Sequence, residues 1–272
     1  RKTVHSKTSR KGEKMFKKVF VIVFAVLWHG SAFAAHPLIT DDTGTQGKGK
    51  FQLEVNGEYG NEKYGIDGKK KTSKMATTLT YGASENMDII LGIPYQYIRT
   101  KTPATDTEPE STKAEDGISD ISIESKWKFF EKDGLSLALK PGITLPTGNR
   151  KRGLGTGRTA YSLFFITTKE VEPWAFHFNL GYKRNENRNN ERIEIWHVSL
   201  ASEVEVVKNL KAVANIGMER NPDKTSNLDP AFILGGLIYS ISKNFDIDFG
   251  IKGGLNKPET DYAILAGIAW RF

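Results

Sequence analysis

Beyond residue 50 the chain alternates between apolar and polar positions. Phe51, Leu53, Val55 and Tyr59 interleave with Gln52, Glu54, Asn56 and Glu58. A period of two predicts strands with one greasy and one polar face. Met75, Thr77, Leu79 and Tyr81 repeat the pattern, and Met87, Ile89, Leu91, Ile93, Tyr95 and Tyr97 extend it over a longer strand. Ile121, Ile123, Trp127 and Phe129 share a face, as do Leu135, Leu137, Leu139, Ile143 and Leu145. The second half continues with Tyr161, Leu163 and Phe165, then Trp174, Phe176, Phe178, Leu180 and Tyr182, then Trp196, Val198, Leu200, Val204 and Val206. Residues 210–219 and 230–240 predict two more strands, the latter apolar at nearly every position and therefore ambiguous in facing. Phe245, Ile247, Phe249 and Ile251 form another face, and Tyr262, Ile264, Ala266, Ile268, Trp270 and Phe272 form the last. The pattern predicts an all-β, antiparallel, up-and-down barrel of about 12 strands, an even number as in single-chain bacterial membrane barrels.

The connectors alternate in length. Polar loops are expected near 60–72, 101–116, 147–157, 184–191, 220–228 and 254–260, and tight turns near 84–86, 131–134, 170–173, 207–209 and 241–244. Long loops on one side and short turns on the other are the signature of outer-membrane barrels. Periodicity alone does not say which face points outward. Barrel size does: such a barrel is too wide for apolar side chains alone to fill. Aromatic placement agrees. Tyr59, Tyr95, Tyr97, Tyr161, Tyr182, Trp196 and Tyr262 fall at the loop end, and Tyr81, Trp127, Phe129, Trp174, Phe245, Trp270 and Phe272 at the turn end. Two such belts match the rings that settle at membrane interfaces. The closing strand with its terminal Phe272 resembles the signal read by the outer-membrane assembly machinery, an expected partner.

Ahead of the strands, Lys17 and Lys18 precede the apolar run from Val19 to Trp28, and Ala32-Phe33-Ala34 follows it. This predicts a secretory signal peptide over residues 15–35, with 1–14 as an upstream extension and 36–272 as the exported barrel. Residues 1–35 together carry eight of the 39 basic and one of the 32 acidic residues, leaving 31 of each in residues 36–272. The basic balance of the whole chain is therefore no argument for nucleic-acid binding. Without cysteine, disulfides and Cys-ligated metal sites are excluded.

The segment His36-Pro37-Leu38-Ile39-Thr40-Asp41-Asp42-Thr43-Gly44-Thr45-Gln46-Gly47, the Leu145-Pro146-Thr147-Gly148 turn, the Gly153-Leu154-Gly155-Thr156-Gly157 run and the stretch from Asp229 onward resemble the meta-pathway of phenol degradation family of outer-membrane proteins. The resemblance covers the exported chain. It implies a barrel and, by the family's name, a role in uptake of aromatic or hydrophobic compounds.

Other motifs dissolve in context. Gly44 to Lys50 matches the front of a P-loop, but Phe51 stands where Ser or Thr should bind a metal, and a strand rather than a helix follows. It reads as a flexible entry segment, too short for a plug domain. The Gly153 to Gly157 run likewise opens no helix and reads as loop geometry. No cofactor and no metal site is expected. His177 and His197 sit on the polar face, and Ser199 lies two residues from His197. A lipid hydrolase would need such a pair facing the lipid.

The inward charges carry more. Glu54, Glu58, Asp88, Asp120, Glu124, Glu203, Glu205, Asp246 and Asp248 are acidic; Lys74, Lys126, Lys128, Lys140, Lys183, Lys211, Lys252 and Arg271 are basic. With His177 and His197 they are the candidate lumen-lining residues. Either they line an aqueous pore or they pair and brace it shut. The expectation is a non-enzymatic outer-membrane channel for passive uptake of small solutes in a Gram-negative bacterium, with hydrophobic or aromatic compounds as candidates. A closed structural or adhesive barrel is the alternative, and a lipid hydrolase a more distant one.

Overall fold

The computed structural model of the chain describes residues 36–64, 68–104 and 109–272; the expected upstream extension and signal peptide lie outside them. The strands are β1 (Phe51–Tyr64), β2 (Gly68–Ser84), β3 (Met87–Thr102), β4 (Ser111–Ile118), β5 (Ile121–Lys132), β6 (Leu135–Leu145), β7 (Ala160–Val171), β8 (Trp174–Arg184), β9 (Glu194–Val207), β10 (Leu210–Glu219), β11 (Ala231–Ser242), β12 (Phe245–Gly254) and β13 (Tyr262–Arg271). β4 and β5 both pair with β3 and are two halves of one wall strand, interrupted at Ser119 and Asp120. The wall thus has 12 positions. Every neighbour is antiparallel, and β13 returns to β1. There the Phe51 amide donates to the Phe272 carbonyl (2.8 Å) and the Phe272 amide to that of Phe51 (2.9 Å). Closure of β13 on β1 joins the first and last wall strands, which is what a bilayer demands of a sheet; β4, in the extension above, pairs on one side only.

The outer face is apolar. On β8, Trp174, Phe176, Phe178, Leu180 and Tyr182 are exposed while Ala175, His177, Asn179 and Gly181 between them are buried. A soluble protein would not leave such a continuous band uncovered; facing lipid, it is solvated by acyl chains. The two expected belts are present, with Tyr59, Tyr95, Tyr97, Tyr161, Tyr182 and Tyr262 exposed at one rim and Tyr81, Trp127, Phe129, Trp174, Trp270 and Phe272 at the other.

Strand β11 settles the ambiguous segment. Ile233, Leu237 and Tyr239 face out; Phe232, Leu234 and Ile238 are buried inside. Both faces are apolar because both are covered, one by lipid and one by Leu38.

Two expected loops are shorter than the sequence suggested. β1 runs to Tyr64 and β2 resumes at Gly68, so 60–72 is mostly strand. β3 continues through Thr102 and β4 begins at Ser111, so both ends of 101–116 are strand too. Above the membrane both faces of these extensions are wet, and the apolar alternation that marks a strand disappears.

The interruption at Ser119 and Asp120 anchors the loop after β6. Asp120 accepts from the amides of Gly148 (2.9 Å) and Thr156 (2.8 Å) and from Thr156 Oγ1 (2.9 Å). Ser119 Oγ donates to the Leu154 carbonyl (2.6 Å), and Leu154 is buried. Gly153 and Gly157 sit at φ +75° and +73°, a conformation open to glycine at little steric cost. The glycine run is therefore loop geometry around one carboxylate. Asp120→Ala should release this loop, which carries Arg150, Lys151 and Arg152. Trypsin cleavage there is expected to accelerate severalfold with the barrel intact; an unchanged cleavage rate would refute the anchoring role.

Candidate functional site

The residues before β1 fold back into the lumen. Their turn is made by Gly47 and Gly49, at φ +82° and +79°, where other residues would be strained. The turn is tied to the wall by Gly49 N to Gly82 O (2.8 Å) and Gly82 N to Lys50 O (2.9 Å). A Cβ at Gly82 would lie 1.8 Å from the Gly47 carbonyl oxygen, so a bare backbone is required there. The P-loop-like glycines are a hinge into the barrel. The flexible entry segment expected from sequence is instead a crossbar tied to the wall; it is a short segment and not a plug domain.

The crossbar is fastened to strand after strand. Gln46 N donates to the Asp88 carboxylate on β3 (3.1 Å). Thr43 N donates to Thr168 Oγ1 on β7 (3.1 Å), and the Thr43 hydroxyl meets Ser136 Oγ on β6 (2.5 Å). The Ile39 and Thr40 amides donate to Asn215 Oδ1 on β10 (2.8 and 3.0 Å), and Asn215 Nδ2 donates to Thr40 Oγ1 (2.6 Å). With its amide nitrogen turned toward the segment, Asn179 on β8 donates to the Asp41 carbonyl (2.9 Å) and accepts from its amide (2.7 Å). Pro37 lies over glycines: a Cβ at Gly250 would meet its ring atoms at 2.7 and 2.9 Å. Leu38 packs on Phe232, Leu234 and Leu265. His36 Nδ1 is 2.5 Å from Asp248 Oδ1 on β12.

Charge holds the middle. Lys126 Nζ donates to Asp41 Oδ1 (2.9 Å) and to the Asp42 carbonyl (3.1 Å), and Lys140 Nζ donates to Asp41 Oδ2 (2.8 Å). Asp42 Oδ1 lies 3.8 Å from Lys126 and accepts from the Gly44 amide. Burial pushes the Asp41 carboxyl upward, but the two ammoniums reverse this and hold it well below the usual carboxylate range. Burial dominates at Asp42 and pushes that carboxyl up, to about 7. Such a buried cluster is stable only while its charges are paired.

The candidate lumen residues thus divide by what they meet. Asp88, Lys126, Lys140 and Asp248 hold the crossbar, and His177 bonds to Thr168 (3.0 Å), which also receives the Thr43 amide. Glu124 lies 3.7 Å from Lys140. Glu54 and Glu124 line a cavity of about 250 Å³ that remains between crossbar and wall. Nearer the mouth, Glu58 lies 3.6 Å from Lys74 and 3.7 Å from Lys252, and Lys252 lies 3.1 Å from Glu259. Nearer the turns, Glu203 pairs with Lys211 (3.0 Å), Asp246 with Arg271 (2.7 Å) and Lys128 with Glu131 (2.5 Å). Glu205 accepts from the Asn209 amide in the turn, Asp120 anchors its loop and Lys183 is exposed at the rim.

His197 Nε2 lies 2.9 Å from Ser199 Oγ, and its Nδ1 lies 3.6 Å from Glu219. The order of groups is that of a nucleophile, base and orienting acid, but Ser199 is buried on the luminal face beside Gly217, whose surface the Phe232 ring covers. That hydroxyl lies on the opposite face of the wall from the exposed apolar band. Sequence reasoning missed Asp41, Asp42, Thr43 and Asn215 as site residues. The available signals were the family-like segment His36–Gly47 and, within it, a pair of adjacent acids ahead of a lysine-bearing barrel.

Solved structures with the same fold are outer-membrane barrels. The COG4313 outer membrane channel from Pseudomonas putida F1 superposes with a TM-score of 0.65 at 13% identity, covering 85% of this chain and 98% of that one. The NanC porin gives 0.55 at 7% identity (80% and 98% covered), and the KdgM porin 0.51 at 8% (81% and 99%). No functionally curated protein matches the sequence. The family model described as "Putative MetA-pathway of phenol degradation" matches residues 34–272, and the chain belongs to that family.

Proposed function

We propose that the protein is a passive outer-membrane channel whose conduit is narrowed by its own N-terminal segment, and that its solutes are small and include hydrophobic or aromatic compounds. The observation that carries this reading is the crossbar itself. A barrel of eight strands fills its interior with side chains, whereas one of 16 leaves an open channel. At 12 wall positions the lumen is intermediate, and a folded-in segment occupies the surplus. The apolar stripe of Phe232, Leu234, Ile238 and Leu265, which Leu38 and its neighbours cover, is the surface an aromatic solute would use when the crossbar shifts. The fold shared with channels and porins, and the family's name, support this. Strand β13 serves as the element read by the assembly machinery. The buried Ser199 argues against a hydrolase.

The extensive charge pairing also suits a permanently braced structural barrel, and conductance separates the two. Residues 36–272, refolded into planar bilayers, are expected to give small, stable single-channel steps that simple phenols reduce. A silent barrel that resists unfolding in cold detergent would overturn the channel reading in favour of the braced one.

A further inference from the structure

The extensions of β1, β2 and β3 above the aromatic belt carry a surface rich in basic residues on their outer face. The ladder registers stack it in rows. Tyr59, Ser73 and Tyr97 lie side by side in the loop-end belt. The next outward row is Asn61, Lys71 and Arg99, and the one above it is Lys63, Lys69 and Lys101. Lys71 thus directly faces Arg99, and Lys69 faces both Lys63 and Lys101. Like charges directly opposite in a sheet repel. Lys63, Lys69, Lys71 and Arg99 are exposed, and no side-chain ion pair joins any of them to a described carboxylate; the Lys63 backbone amide donates to Asp261 Oδ2 (2.9 Å), and Lys101 pairs with Glu110 at 2.8 Å.

Arg184 on β8 and the inner face of β2 differ. On β8, Arg184 lies directly opposite Tyr161 of the same belt, and Glu186 neutralises it at 2.9 Å. The inward-facing Lys70 and Lys74 of β2 are matched by Glu62 and Glu58. Among the described residues, the outer face of β1–β3 thus stacks cations in adjacent rows without such a matching acid.

Height identifies what could neutralise it. Tyrosine rings of such a belt settle at headgroup level. Two residues further along a strand, tilted as barrel strands are, raise the next row by about 5 Å and the following row by about 10 Å. Lysine and arginine stems reach several ångströms up or down from there. The cations therefore lie at the depth of headgroup phosphates, on the loop side of the membrane.

We infer that this surface binds the sugar-borne phosphates of an outer-leaflet glycolipid of the lipid A type, holding it against the Tyr59, Ser73 and Tyr97 row. This rests on the outer-membrane reading of the protein. Arginine and lysine side by side, on a rigid ladder, suit multidentate phosphate recognition better than a solvated face requires.

The test is native mass spectrometry of the full exported chain in neutral detergent with purified lipid A, alongside its enzymatically dephosphorylated form. The intact protein should retain lipid A and not the dephosphorylated lipid. Replacing Lys69, Lys71 and Arg99 together by Gln should weaken retention roughly 10- to 100-fold. The charge-preserving set Lys69→Arg, Lys71→Arg and Arg99→Lys should keep most of it. Equal retention by the Gln variant, or displacement of lipid A by millimolar inorganic phosphate, would overturn the assignment. Resistance to unfolding in cold detergent and insertion into vesicles are scored for each variant. A wild-type chain that does not insert would sink the membrane reading itself, whereas an inserted barrel indifferent to these three residues sinks only the lipid site.

Discussion

Removing residues 36–46 is expected to leave a closed barrel whose single-channel conductance is severalfold higher than that of residues 36–272. The wall does not depend on these residues. Its ladder begins at Phe51, and its seam is made by Phe51 with Phe272. What the deletion removes is the body that crosses the lumen between Asp88 on β3 and Asp248 on β12. It also bares the stripe of Phe232, Leu234 and Leu265 that Leu38 covers. Block by phenols should therefore become stronger as the basal current rises. Planar-bilayer recording reads both. A truncated barrel that inserts and conducts no better than the full one would show that the crossbar is not the constriction.

The second large effect is expected from Lys126→Met. Lys126 is buried and sits between Asp41 and Asp42. Methionine keeps much of its length but none of its charge, so Asp42 loses its cation and Asp41 keeps only Lys140. Breaking a buried pair by removing one partner destabilises by about 3–5 kcal/mol. The strands stay hydrogen-bonded without the crossbar, so the loss falls on docking of the segment. Three kilocalories correspond to roughly a hundredfold change in the docked-to-undocked ratio. The chain lacks cysteine, so Thr43→Cys makes a unique reporter at a buried position. Its labelling by a membrane-impermeant maleimide should accelerate by that order in the Lys126→Met background. Adding Asp41→Asn and Asp42→Asn should slow it again. Identical labelling rates with and without Lys126 would mean that the ion cluster does not hold the segment.

The barrel was legible in the sequence because lipid on one side and water on the other impose a period of two on every strand. Trp174 to Tyr182 needed no further information. Legibility failed where one of those two solvents was missing. Lys69, Lys71 and Arg99 lie above the membrane, both faces of their strands are wet, and the residues read as loop. Phe232, Leu234 and Ile238 face an interior that is locally apolar, and β11 read as ambiguous. The crossbar was invisible for a different reason. Residues 36–46 have no period, and their partners lie far away in sequence: Lys126 is 85 residues from Asp41, and Asn215 is 175 from Thr40. Inward charges could be enumerated from alternation, but not which of them meet.

The anchors of the crossbar sit on β3, β5, β6, β7, β8, β10 and β12, and no two consecutive strands supply enough of them to hold it. The binding surface for residues 36–46 exists only where β3 through β12 have assembled into one wall. This segment can therefore dock fully only after those strands are in place. Until then Lys126 and Lys140 face water inside a nascent cylinder, and they lose that hydration only when Asp41 arrives to replace it.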